Sequence, residues 1–174
     1  MTHQRSLADT PFPGDDGQAD ATARARLAAT VSGELPDYLR AVAELCTVRL
    51  LVPVVATTTV EGVTTAGLSS DKEAEMAVVL LQAGDGSRAM VAFTGNDSLT
   101  VWNAEARPVP VTLDLAAASA LQEGATALLI DVNGPHPLAI DGEILQQLAA
   151  GHRLVDTGND EFGWAVPAQD SRPE

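Results

Sequence analysis

The sequence predicts an α+β domain: a mixed sheet of about 4–6 strands with a central antiparallel hairpin, one helical crossover to a parallel strand, and helices packed on the sheet. Three stretches carry that prediction. Residues 75–102, EMAVVLLQAGDGSRAMVAFTGNDSLTVW, read as a strand, a tight turn, a second strand and the opening of a helix. Residues 125–132, ATALLIDV, are an almost continuous apolar run that suits a central strand covered on both faces. Between 35 and 46, apolar residues recur at three- and four-residue spacing, as in a helix laid on a sheet.

A chain of 174 residues fits one domain with tails and can bury a real core. Apolar residues make up 45% and aromatics only 3%, so that core is built from Ala, Val and Leu. Against 24 acidic side chains stand ten basic ones, a formal charge of −14 that repels phosphate backbones and anionic bilayers. Neither nucleic acid nor membrane is therefore an expected partner. Cys46 is the one cysteine, which excludes an intramolecular disulfide and a thiolate zinc cluster. The opening MTHQRSLADTPFPGDDG lacks the apolar segment of a secretory signal, and no run approaches the ~18–20 apolar residues that span a bilayer. The expectation is a cytoplasmic protein without a cofactor.

The division expected is a disordered tail over 1–19, the α+β domain over 20–151, and a C-terminal tail over 152–174, docked in part. Asp20 caps a short helix reaching Ser32, with Leu27 and Val31 four apart on one face, and Gly33 stops it. A second helix has Pro36 in its first turn and Leu35, Tyr38, Leu39, Val42, Leu45 and Cys46 on its apolar stripe. Cys46 reads as a small buried hydrophobe.

Residues 48–56, VRLLVPVVA, form a β-rich run that is apolar except at Arg49. Pro53 withholds an N–H, which predicts an edge strand or a bulge. Residues 57–73 lack a sustained period and read as a long loop, one of two places to look for binding. Adjacent Asp71, Lys72 and Glu73 there read as solvated charges rather than as catalytic groups.

A strand over 75–83 then turns through GDGS at 84–87 into a strand over 88–93. Those glycines join two strands, whereas a phosphate-binding loop leads from a strand into a helix, so they signal a hairpin. Thr94, Asn96 or Asp97 caps the next helix, which packs Leu99 and Trp102 on the sheet. RPVPV at 107–111 is an extended connector, and a helix over 114–123 ends at Gly124. The strand at 125–132 follows, parallel to the one it reaches by this crossover. A tight turn, a short strand at 138–140 and a last helix from Asp141 or Gly142 to Gly151 complete the domain.

The second place to look is the carboxyl end of the strands, where ligands of α/β sheets often sit. It gathers Thr94, Asp131, Asn133 and His136 as a candidate ligand or partner surface. One His and one Asp do not make a metal site, and turn formation alone explains Asn133. No Gly-x-Ser-x-Gly elbow, His-Glu-x-x-His helix or Cys–His pairing is present, so no catalytic residue is nominated.

In order, VRLLVPVVA, DKEAEMAVVLLQ, AMVAFTGNDSLTVW, ARPVPVTLDLAAASALQEGATALLIDVNGP and a final short helix resemble the SseB N-terminal domain family, over roughly residues 48–150. The resemblance is closest to its actinobacterial branch, through the strand VPVV, the FT before a helix ending in Trp, and RPVPV. It implies a non-enzymatic α+β domain and supplies no catalytic motif to carry over. The expected function is a non-catalytic interaction or regulatory domain with a protein partner. The alternative is a small-molecule, perhaps amino-acid, binding domain with its ligand at the strand carboxyl ends.

Overall fold

The computed structural model describes residues 12–57 and 75–167. Its chain order is α1 (Ala21–Ala29), a 3-10 turn (Thr30–Ser32), α2 (Leu35–Leu45), β1 (Leu50–Thr57), β2 (Glu75–Val78), β3 (Leu80–Gln82), β4 (Arg88–Ala92), α3 (Asn96–Trp102), β5 (Arg107–Val111), α4 (Leu113–Gln122), β6 (Ala127–Ile130), β7 (Leu138–Asp141), α5 (Gly142–Ala149), β8 (Arg153–Gly158) and β9 (Glu161–Ala165).

Strands run β2-β1-β5 in one sheet, β3-β4-β6-β7 in a second, and β8-β9 in a hairpin. The first two sheets meet where Leu51 and Phe93 exchange both backbone hydrogen bonds at 2.8 Å. The four-stranded sheet is mixed: β3 and β4 form the expected antiparallel hairpin, and β4 pairs parallel with β6 across the crossover. Gly86, at φ 87, supplies the positive φ of the hairpin turn, and Asp85 Oδ1 accepts from the Ser87 amide at 2.9 Å.

Alternation along β1 and β4 sends side chains to two apolar clusters. Leu50, Val52, Met90 and Ala92 face the larger, with α1, α2, α4 and α5. Leu51, Val91 and Phe93 face the smaller, with Leu99 of α3. Trp102 packs there too, its ring centroid 5.5 Å from that of Phe93, which fits the anchoring role its spacing suggested. β6 divides likewise, Leu128 and Ile130 to one side and Leu129 to the other, as its apolar run implied.

Several local expectations change. The stretch 75–83 is two strands, because β2 pairs with β1 and, after Val79, β3 pairs with β4 in the other sheet. Pro53 does not mark an edge: β1 is central, with β2 and β5 antiparallel on either side and no break in either register. β2 pairs only from Val54 onward, and across from Pro53 stands Pro108, so the missing N–H falls where the β2 ladder has ended. RPVPV becomes β5, an edge strand in which two prolines are tolerated. Val31 does not share the buried face of Leu27: the chain tightens to 3-10 at Thr30 and leaves Val31 75% exposed. The expected long loop lies outside the described residues apart from Thr57 in β1.

Candidate functional site

Thr94 follows β4 and Asp131 follows β6, and the parallel pairing of those strands brings the two residues side by side at their carboxyl ends. Both are buried. The Thr94 amide donates to Asp131 Oδ1 at 2.9 Å, and its hydroxyl donates to Oδ2 at 2.6 Å. Ser98 of α3 donates its hydroxyl to Oδ1 at 2.7 Å. Asp131 itself sits at φ 48, a left-handed conformation that aspartate tolerates better than most residues.

Two arginines close around this pair. Arg24 of α1 donates Nε to Thr94 Oγ1 at 2.5 Å, lies 3.5 Å from Asp131 Oδ2, and grips Asp97 with both terminal nitrogens at 2.7 and 3.1 Å. The Arg24 hydrogen bond is the main reason the Asp97 carboxyl is held below its ordinary value. From the other side Arg49 donates to the Thr94 carbonyl, the Gln18 carbonyl and Asp15 Oδ1. Residues 12–19 are thus laid across the junction, and the Gly17 carbonyl accepts the Asn96 amide at 2.8 Å. That carbonyl does the work expected of a capping side chain, since Gly95 is the N-cap of α3 and no side chain caps it.

The other two nominated residues do not join. Asn133 is exposed in the turn, whose Gly134 amide donates to the Asp131 carbonyl at 2.7 Å. His136 is half-buried, and its Nδ1 has no hydrogen-bond partner among the described residues. Sequence reading missed Arg24 and Arg49. Arg49 had left a signal as the lone charge in an apolar strand, whereas Arg24 looks like any exposed helix cation.

Chemically this junction is closed. A carboxylate that already accepts three hydrogen bonds and faces a guanidinium has little left for a substrate, and at 3% exposure a solute would not reach it. No set of three or more His, Cys, Asp or Glu side chains among the described residues is placed to hold a metal. Burial pushes the Cys46 thiol up, which disfavours the reactive thiolate.

An open groove lies elsewhere, between the α1–α2 corner and β7, with a volume of about 410 Å³. Gly33, Glu34, Leu35 and Tyr38 line one wall, and Leu138 and Ala139 the other. Leu35 belongs to the predicted apolar stripe yet is 63% exposed, because α2 runs past the sheet at its first turn. The Tyr38 hydroxyl donates to the Ala139 carbonyl at 3.1 Å, and β7 has no further strand beside it among the described residues.

The model of one family, described as the SseB protein N-terminal domain, matches residues 23–147. No curated protein and no solved structure matches the chain. The matched span contains Arg24, Arg49, Thr94, Ser98 and Asp131 as well as both walls of the groove, while Gly17 and the β8–β9 hairpin lie outside it.

Proposed function

The chain belongs to the SseB N-terminal domain family, and we propose that it works as a non-catalytic cytoplasmic docking domain for a protein partner. The observation that carries this reading is the groove beside β7: an edge strand next to an exposed Leu35 and a Tyr38 whose polar end is already satisfied. Extended segments dock on such edges through backbone contacts, with side-chain pockets adding selectivity. The ligand-binding alternative at Thr94, Asp131 and His136 has less support, because the hydrogen bonds of the first two are spent on the chain itself.

Crosslinking tests the reading. A photoreactive residue at Ala139, which is exposed, should crosslink one reproducible protein in the native host. The Leu35→Asp change should remove that crosslink without altering the melting curve, since Leu35 is a surface residue at a helix start where an acid is welcome. A crosslink indifferent to Leu35→Asp, or chaperones alone, would refute it.

A further inference from the structure

The charge around the β7 groove is one-sided. Glu34 lines it, and Asp141 ends β7 close enough to Tyr38 to act on its phenol, which burial first and then that carboxylate push up. Neither carboxylate is in an ion pair, and both residues are exposed. The nearby arginine, Arg40, is already committed to Asp37, Asp156 and Asp160. Between the free acids stands an apolar floor of Leu35, Tyr38 and Leu138.

We propose that the groove's occupant is an extended peptide segment with Lys or Arg on both sides of an apolar side chain, lying along β7. The inference rests on the docking reading above and adds the chemistry of the partner. The apolar side chain sits against Leu35 and Tyr38. The flanking cations meet Glu34 and Asp141, the two acids without a cation of their own. A second copy of this chain is the poorer fit, because two bodies of charge −14 repel one another. Charge complementarity of this kind sets partner choice and encounter rate more than raw affinity.

The test is fluorescence anisotropy at physiological salt with three labelled synthetic peptides: one alternating Lys with Val, one alternating Glu with Val, and the Lys–Val peptide with its central Val replaced by Ser. The Lys–Val peptide should bind best. The double variant Glu34→Gln, Asp141→Asn should weaken it about fivefold to tenfold, the worth of two rim ion pairs. Leu35→Asp is the control against diffuse attraction: it adds a negative charge, so long-range binding would rise, whereas groove binding falls. Equal binding of the Glu–Val peptide overturns the basic-segment proposal and leaves the docking reading standing, provided Leu35→Asp still abolishes binding. Binding that Leu35→Asp strengthens overturns both. Absence of binding by all three peptides overturns the proposal, with the docking reading then judged by its crosslink. Self-association of the free chain that Leu35→Asp abolishes makes the occupant a second copy, which also overturns it.

Discussion

Thr94 gives both its amide and its hydroxyl to one carboxylate, that of Asp131, 37 residues further along the chain. Each side chain is buried, so the pair has no water to fall back on. Removing the acceptor strands the Thr94 amide, the Ser98 hydroxyl and one edge of Arg24 together. Asp131→Ala should therefore cost about 3 kcal/mol or more. Asp131→Asn keeps the shape and one acceptor oxygen, suits the positive φ, and should cost about 1–2 kcal/mol. Urea unfolding midpoints check the order, and equal stability of the two variants would contradict the account.

Gly17 and Gly14 offer a matched pair. Both have positive φ, 76 and 83, so alanine strains the backbone at each by about 1–2 kcal/mol. Only at Gly17 would the new Cβ collide, 1.8 Å from Asn96 Nδ2, while nothing lies within 4 Å at Gly14. Gly17→Ala should therefore be the worse change by about 1–3 kcal/mol. It should also speed hydrogen exchange at the Asn96 amide, which Gly14→Ala leaves protected.

Acid should loosen the α1–α3 contact. The Arg24 hydrogen bond, against the opposing effect of burial, keeps Asp97 below its ordinary value of 3.8. A carboxyl depressed in the folded state contributes stability that is fully present above its unfolded value and disappears as pH falls through the folded one. The loss consequently belongs below about pH 4. Asp97→Asn should flatten the fall in urea midpoint between about pH 5 and pH 3, with little change at neutral pH, because this pair is largely exposed.

Arg40 fastens the β8–β9 hairpin to α2. It holds Asp37 on its own helix at 3.1 Å and meets Asp156 at 3.5 Å and Asp160 on the hairpin. Asp160 stands in the tight turn at φ 59. Arg40→Gln should lower global stability by about 1 kcal/mol or less, since these pairs are partly exposed. Its larger effect is local: faster exchange of hairpin amides. Cys46, half-buried and within hydrogen-bonding range of the Leu154 backbone, should alkylate faster in the same variant. Unchanged alkylation would mean that the apolar contacts of Leu154, Phe162 and Trp164 hold the hairpin unaided.

The residues behind each helix and strand were mostly legible because their signals are local. Asp20 caps α1 by accepting the Ala23 amide, Pro36 stands in the first turn of α2, and the Asp85–Ser87 turn closes its hairpin as the sequence implied. Half of the nominated surface was legible too: Thr94 and Asp131 do come together, since a parallel β4–β6 pair aligns their carboxyl ends. Asn133 and His136 were nominated on proximity in sequence, which a turn does not convert into convergence. The groove was not legible, because an exposed Leu35 in an apolar stripe looks like a buried one.

By itself, then, the sequence determined the periods, the turns and the α+β class, all consequences of backbone geometry over a few residues. Tertiary structure decided which distant groups would meet. It split 75–83 between two sheets, put the Gly17 carbonyl at the start of α3, and brought Arg24 to Thr94 across 70 residues. A charge's partner depends on the path of the whole chain, and so does the exposure of one leucine on an otherwise buried stripe.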